Sequence, residues 1–181
     1  HHLLRRQRQM CIRDRLDWLL EHTGKVFMAV CSGGAGVAHP CGSGALFTEL
    51  LDKAPGRVEM IIAVACGNDL FHGGRVRNLH PGDELEYKIR ALCIGMRHKS
   101  RRQLAIVAGS SEIWQYGSGA YASQYDSAAE QMVNKFRLAG MPRRTGVDEL
   151  RGIQIVDGVG HVHPAVSYTH LRAHETVLHL V

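Results

Sequence analysis

Apolar runs of strand length alternate with helix-like segments along most of this 181-residue chain. The strand-like runs are continuously apolar rather than alternating, which is typical of parallel strands buried by helices on both sides. The alternation therefore predicts one α/β domain with three layers, a mostly parallel sheet and helices on both faces. The predicted strands are residues 26–30, 58–65, 103–108 and 152–156, and the predicted helices are residues 16–22, 44–53, 83–98 and 127–139.

The positive charge of the chain is concentrated at one end. Its formal net charge is +5, of which residues 1–15 carry +4, residues 166–181 carry 0 and residues 16–165 carry +1. A nearly neutral interior argues against a nucleic-acid-binding domain. No apolar run approaches the ~18 residues that a membrane-spanning helix needs.

Both ends of the chain have unusual sequences. RRQRQMCIRDR near the start and VSYTHLRAHETVL near the end resemble translated sequencing-adapter sequence, and neither has helix or strand periodicity. We therefore expect residues 1–15 and 166–181 to be non-native and residues 16–165 to be a domain fragment that lacks its natural N-terminus. The alternative is a basic arm and an ordinary tail.

The cysteines and histidines do not indicate a metal site. The histidines His72, His80 and His98 are widely dispersed. The cysteines show no paired spacing of the zinc-binding kind. They are Cys11, Cys31, Cys41, Cys66 and Cys93. No metal and no cofactor are predicted.

Polar or glycine-rich loops follow the predicted strands. Ligands of an open parallel sheet bind outside the carboxyl ends of the strands, so these loops are the candidate site. The four loops are CSGGAG (31–36), GNDLFHG (67–73), GSSEIW (109–114) and DGVGHVH (157–163).

Three of these loops carry motifs that resemble one enzyme family. Gly67-Asn68-Asp69, directly after an apolar strand, resembles the third sequence block of the SGNH hydrolases, the GDSL-type esterases and lipases. Asp157 followed by a histidine is similar to their fifth block, and the glycine loop containing Gly33 lies where their second block is expected. The resemblance implies a flavodoxin-like fold, a small-molecule ester as substrate and no cofactor.

The resemblance also implies a role for each motif residue. The Asn68 side-chain amide and the Gly33 backbone N–H would donate to the oxyanion of the tetrahedral intermediate. His161 would be the general base and Asp157 the carboxylate that orients it. His163 remains an alternative base, since it is followed by proline as is frequent in the family.

The sequence departs from the family pattern in two ways. No Gly-Asp-Ser, the block that holds the nucleophilic serine, occurs in the chain, so we expect the serine in a segment upstream of Leu16 and no activity from the chain alone. Asp157 and His161 are separated by three residues, where the family usually has two.

Other interpretations remain open at this point. Gly-Asn-Asp is also a good turn, because Asn and Asp side chains bond their own backbone. The chain could be a flavodoxin-like or Rossmann-like domain that binds a phosphate or a partner at the same loops, or an SGNH-shaped protein without catalysis. Ser32 could itself be a nucleophile at a strand-to-helix turn, although G-x-S-x-G is absent.

Overall fold

The computed structural model describes residues 21, 24–25, 28–32, 34–65, 67–109 and 122–148, and three short strands beyond them. The elements in chain order are β1 Met28–Ser32, α1 Phe47–Asp52, β2 Val58–Ala65, a 3₁₀ turn Gly67–Asp69, β3 Phe71–His72, β4 Arg75–Val76, α2 Glu84–Lys99, β5 Ser100–Ala108, α3 Ala122–Leu138, β6 Gly146–Asp148, β7 Ile155–Val156, β8 Val162–His163 and β9 Thr176–Leu180.

The main sheet has five strands in the order β1–β9–β2–β5–β6. β2, β5 and β6 pair in parallel. β9 pairs antiparallel with both β1 and β2, so β1 runs in the same direction as the parallel strands. The predicted mixed α/β class with a parallel sheet is confirmed at this level.

Helices α1, α2 and α3 pack on one face of the sheet. α1 contacts α2, and α2 contacts α3. Alternate residues of the central strands are fully buried while their neighbours are half-buried, which identifies the face that the helices cover. The buried set is Ile61, Ala63, Ala65, Ala105 and Val107. A helix on the second face, as the sequence predicts, is not among the described residues.

The observed strands β6 and β7 differ from the sequence prediction. β6 was not predicted, because Gly146–Asp148 is too short to show a periodic signal and forms by pairing with β5 at the sheet edge. The strand predicted at 152–156 corresponds to β7, which pairs with β8 in a separate two-stranded sheet. The expectation that this strand belongs to the main sheet is therefore wrong.

β9 also lies outside the sequence prediction. Thr176–Leu180 falls within the 166–181 segment that adapter resemblance had set aside, and it pairs with two strands at once. That residues 166–181 are non-native stays a prediction. The position of β9 between β1 and β2 places it beside the strands that lead into the candidate site.

α2 is stabilised both by its capped ends and by its buried apolar face. The Asp83 side chain accepts a hydrogen bond from the Glu86 backbone N–H at 2.9 Å and so caps the first turn. Its apolar residues recur at helical spacing and are buried. At its other end, Lys99 Nζ donates to the carbonyl oxygens of Leu51 at 2.7 Å and Ala54 at 3.0 Å, which satisfies the end of α1.

Glu86 makes stability depend on acid pH. Its carboxylate accepts hydrogen bonds from the Gly82 backbone N–H at 2.9 Å, from Arg90 at 2.7 Å and from Lys135 at 3.3 Å. The Gly82 bond is the largest cause, followed by those from Lys135 and Arg90, and together they lower the pKa of Glu86 from 4.5 to about 2. Because the folded-state pKa is the lower one, this stabilisation is present above pH 4.5 and is lost as the pH falls towards 2.

We expect Glu86→Gln to lower the urea midpoint of unfolding at neutral pH. In strong acid, the midpoints of the variant and the wild type should become equal. Glu84→Gln, which removes an exposed charge from the same helical turn, is the control. Urea titrations of the three proteins across the acid range measure this. A gap between wild type and Glu86→Gln that stays constant with pH, or equal behaviour of both variants, would contradict the assignment.

Candidate functional site

The Gly67–Asp69 turn lies at the carboxyl end of β2, where the sequence predicts a site. It is a single 3₁₀ turn, followed directly by the small β3–β4 hairpin. The backbone N–H of Arg77, just after β4, donates to the carbonyl oxygen of Leu70 at 2.7 Å and closes the hairpin onto the turn. The turn is thus held between a buried strand and a tight hairpin.

Asp69 is a buried carboxylate with three backbone partners. Its side chain is 0% exposed. The N–H of Val37 donates to Oδ2 at 2.8 Å, and the N–H groups of Ala38 and His39 both donate to Oδ1 at 2.8 Å. A buried carboxylate needs such donors to offset its loss of water. Asp69 therefore fixes the segment 37–39, which lies 30 to 32 residues away in sequence.

Asn68 bonds to the same loop. Its Nδ2 donates to the carbonyl oxygen of Ala35 at 2.7 Å. A side-chain amide has two N–H groups, so the second has no partner among the described residues. If Gly-Asn-Asp were a simple turn, the side chains of Asn68 and Asp69 would bond their own backbone. In the structure, both side chains bond to the loop after β1 instead.

The loop after β1 is compact because its glycines allow close backbone contacts. The N–H of Cys41 donates to the carbonyl oxygen of Gly34 at 2.7 Å, and the N–H of Gly44 donates to that of Cys41 at 3.0 Å. Gly34 has a φ of 72°, and a Cβ there would meet the Cys41 backbone. The loop therefore has a defined shape before Asn68 and Asp69 bind it.

Ser32, the last residue of β1, belongs to the anchoring of this loop. Its Oγ accepts a hydrogen bond from the Ala45 backbone N–H at 3.2 Å. The N–H of Phe47 donates to the carbonyl oxygen of Gly36 at 3.1 Å, where α1 begins. Both ends of the loop are thus tied to the sheet and to α1.

The predicted site residues have different outcomes. Asn68 lies at the carboxyl end of β2, and its side chain bonds to Ala35 in the loop after β1. Gly33, Asp157 and His161 lie outside the described residues. His163 lies in β8, where its backbone pairs with Ile155. β7 and β8 form a two-stranded sheet of their own.

Sequence reasoning missed the role of Asp69. Its three partners are backbone N–H groups of residues 37–39, and backbone groups leave no residue-type signal in a sequence. The sequence shows only an acidic residue four positions beyond the end of an apolar run, and this does not identify its partners.

The 37–39 segment has the geometry of an anion site that is already filled. Three successive backbone N–H groups converging on one point form a concavity that binds anions. Here the Asp69 carboxylate occupies it. These donors are therefore unavailable to a phosphate, which weighs against phosphate binding at this loop.

Across the described ranges, no three His, Cys, Asp or Glu side chains cluster as metal ligands would. Within the same part of the chain, no helix combines the length and apolarity of a membrane span.

Comparison with known proteins provides no family assignment. No protein-family profile matches the chain, and no curated protein or solved structure matches it. The family resemblance therefore rests on the motif residues of the sequence.

Proposed function

We propose that this chain is part of a serine-dependent ester hydrolase of the SGNH type, an esterase or lipase. Its nucleophilic serine would lie in a segment upstream of Leu16 in the intact protein. The observation that carries the proposal is the hydrogen bonding of the Gly67–Asp69 turn to the loop after β1, since it joins two loops that would supply oxyanion donors.

The oxyanion site would be built from one side chain and one backbone group. The Asn68 bond to Ala35 holds the amide plane in one orientation and leaves its other N–H for an oxyanion. Gly33 is the residue before Gly34, whose carbonyl is itself held by Cys41. Donors fixed before the reaction stabilise developing charge without reorganisation cost, which is the main requirement of ester hydrolysis.

The strand order supports a missing first strand. In the flavodoxin-like order 2-1-3-4-5, the first strand lies between the second and the third. If β1, β2, β5 and β6 are strands two to five, the first position is the one that β9 fills here, antiparallel to its neighbours. A strand in that position would end beside both joined loops, where a nucleophile has to face Asn68.

The general base and its orienting carboxylate are proposed to come from the Asp157-to-His163 motif. Asp157 would orient His161, or His163 in its place, so that the imidazole can take the proton of the serine hydroxyl. The alternative, a flavodoxin-like or Rossmann-like binding domain, would need donors for a phosphate, and those of residues 37–39 already bind Asp69.

Activity of the chain before and after completion tests the proposal. We expect the 181-residue chain to give no turnover of p-nitrophenyl acetate and no labelling by a fluorophosphonate. The chain extended with its natural upstream sequence should do both, and replacing the upstream Gly-Asp-Ser serine by alanine should abolish both.

Two results would contradict it. An upstream sequence without such a serine, combined with no esterase activity, would favour the binding domain. Burst kinetics from the 181-residue chain that disappear in Ser32→Ala would identify Ser32 as the nucleophile and overturn the upstream assignment.

A further inference from the structure

A second candidate site lies at the opposite edge of the sheet, where the strands begin. A cleft of about 430 Å³ is lined by Arg57, Val58, Glu59, Arg101 and Arg102. β2 starts at Val58 and β5 at Ser100, so the cleft lies at the amino-terminal edge, away from the Gly67–Asp69 turn. Its volume falls within the range of small-molecule sites.

The charges of the cleft are unbalanced. Its one carboxylate, Glu59, already binds Lys25, whose Nζ donates to both oxygens at 2.7 and 2.8 Å. The Lys25 hydrogen bond is the largest cause that lowers the pKa of Glu59, and the charges of Arg102 and Arg101 lower it further. Glu59 therefore stays ionised and bound to Lys25.

The three arginines have no such partner. Arg57, Arg101 and Arg102 are exposed. Within the described part of the chain, no ion pair joins any of them to a carboxylate. Three guanidinium groups without an ion pair among the described residues therefore line one cleft, in a region of the chain, residues 16–165, whose net charge is only +1.

Arg57 also has an unusual backbone. Its φ is 63°, in the left-handed region that favours glycine, and it is the one non-glycine residue with positive φ in the described ranges. Side chains held in this region are enriched at binding sites, where the strain is offset by what the side chain does. The backbone conformation sets the direction in which Arg57 leaves the chain beside the start of β2.

We propose that this cleft binds a small molecule carrying two or more phosphate groups. A guanidinium group binds phosphate oxygens two at a time, and three of them around a small volume fit a multiply charged anion better than a single one. The cleft is of small-molecule size, which favours a free ligand over a nucleic acid or a lipid surface. This site is independent of the proposed esterase chemistry.

Calorimetric titration with inorganic pyrophosphate at constant ionic strength tests the proposal. We expect saturable binding to one site in the wild type and about tenfold or greater weakening in the Arg101→Gln/Arg102→Gln double variant. Arg75→Gln, which removes an exposed arginine from the separate β3–β4 hairpin, is the matched control and should bind as the wild type does.

Arg57→Gly is a second variant with a distinct signature. Glycine relieves the positive φ, so the unliganded protein should melt at a higher temperature while pyrophosphate binds more weakly. A variant that merely unfolded could not show both changes. Weaker binding together with a raised melting temperature would support the site.

Three outcomes would overturn the proposal. The first is the absence of saturable pyrophosphate binding to the wild type. The second is an equal loss of pyrophosphate affinity in Arg75→Gln, which would show a response to bulk charge. The third is binding only to anionic lipid vesicles or to an oligonucleotide, which would show a macromolecular partner.

Discussion

Replacing Asp69 by alanine is expected to remove a large part of the stability of this fold. The change leaves the backbone N–H groups of Val37, Ala38 and His39 without their acceptor, two of them buried. Each buried donor left unpaired costs about 1–3 kcal/mol, so we expect a loss of about 3–5 kcal/mol in the free energy of unfolding. That is a large fraction of the ~5–15 kcal/mol available to a typical domain.

Urea unfolding measures this effect, as a lowered midpoint with an unchanged slope. Amide hydrogen exchange adds a local test, because Val37 and Ala38 should lose protection before the core does. Asp52→Ala, which removes an exposed carboxylate from the last residue of α1, is the control and should change stability by no more than about 0.5 kcal/mol. An Asp69→Ala protein within that same margin would mean that the three bonds do not hold the loop.

The second large effect is on catalysis. In the chain completed with its upstream serine, we expect Asn68→Ala to lower kcat about 100- to 1,000-fold with little change in KM, as the loss of an oxyanion donor does. The hydrogen bond to Ala35 is lost as well, so stability should fall by about 1 kcal/mol. Steady-state kinetics with an activated ester, run where the variant is fully folded, separates the two effects.

Asn78→Ala provides the control for this experiment. Asn78 is exposed in the segment between β4 and α2 and should leave both kcat and stability unchanged. An Asn68→Ala enzyme with unchanged kcat would remove Asn68 from the active site and leave it a purely structural role beside Asp69. A rise in KM with constant kcat would instead assign Asn68 to substrate binding.

Sequence reasoning succeeded where structure follows from neighbouring residues. The run 58–65 predicts β2 with the observed bounds, because an eight-residue stretch that is apolar apart from Glu59 and is flanked by Pro-Gly and Gly-Asn-Asp has the length and the boundaries of a buried strand. α2 was predicted at 83–98 and observed at Glu84–Lys99, because an acidic cap and a basic last turn mark its ends.

The sequence-based prediction was incomplete or wrong for strands that depend on a pairing partner. β6 has three residues and forms only because β5 offers an edge to pair with. β7 was assigned to the main sheet and pairs with β8 instead, since an apolar run indicates a strand but does not identify its neighbour. β9 fills a place between β1 and β2 that no local pattern predicts.

The amino-acid sequence by itself determined the α/β class, the central strand β2, the helix α2 and the position of Gly-Asn-Asp at a strand end. These depend on periodicity and capping within a few residues. Only the tertiary structure decided what that motif does. Asn68 and Asp69 bind backbone groups more than thirty residues away, which come within reach only after β1 and β2 enter one sheet. Backbone N–H groups are the same at every residue, so no sequence pattern names them as partners.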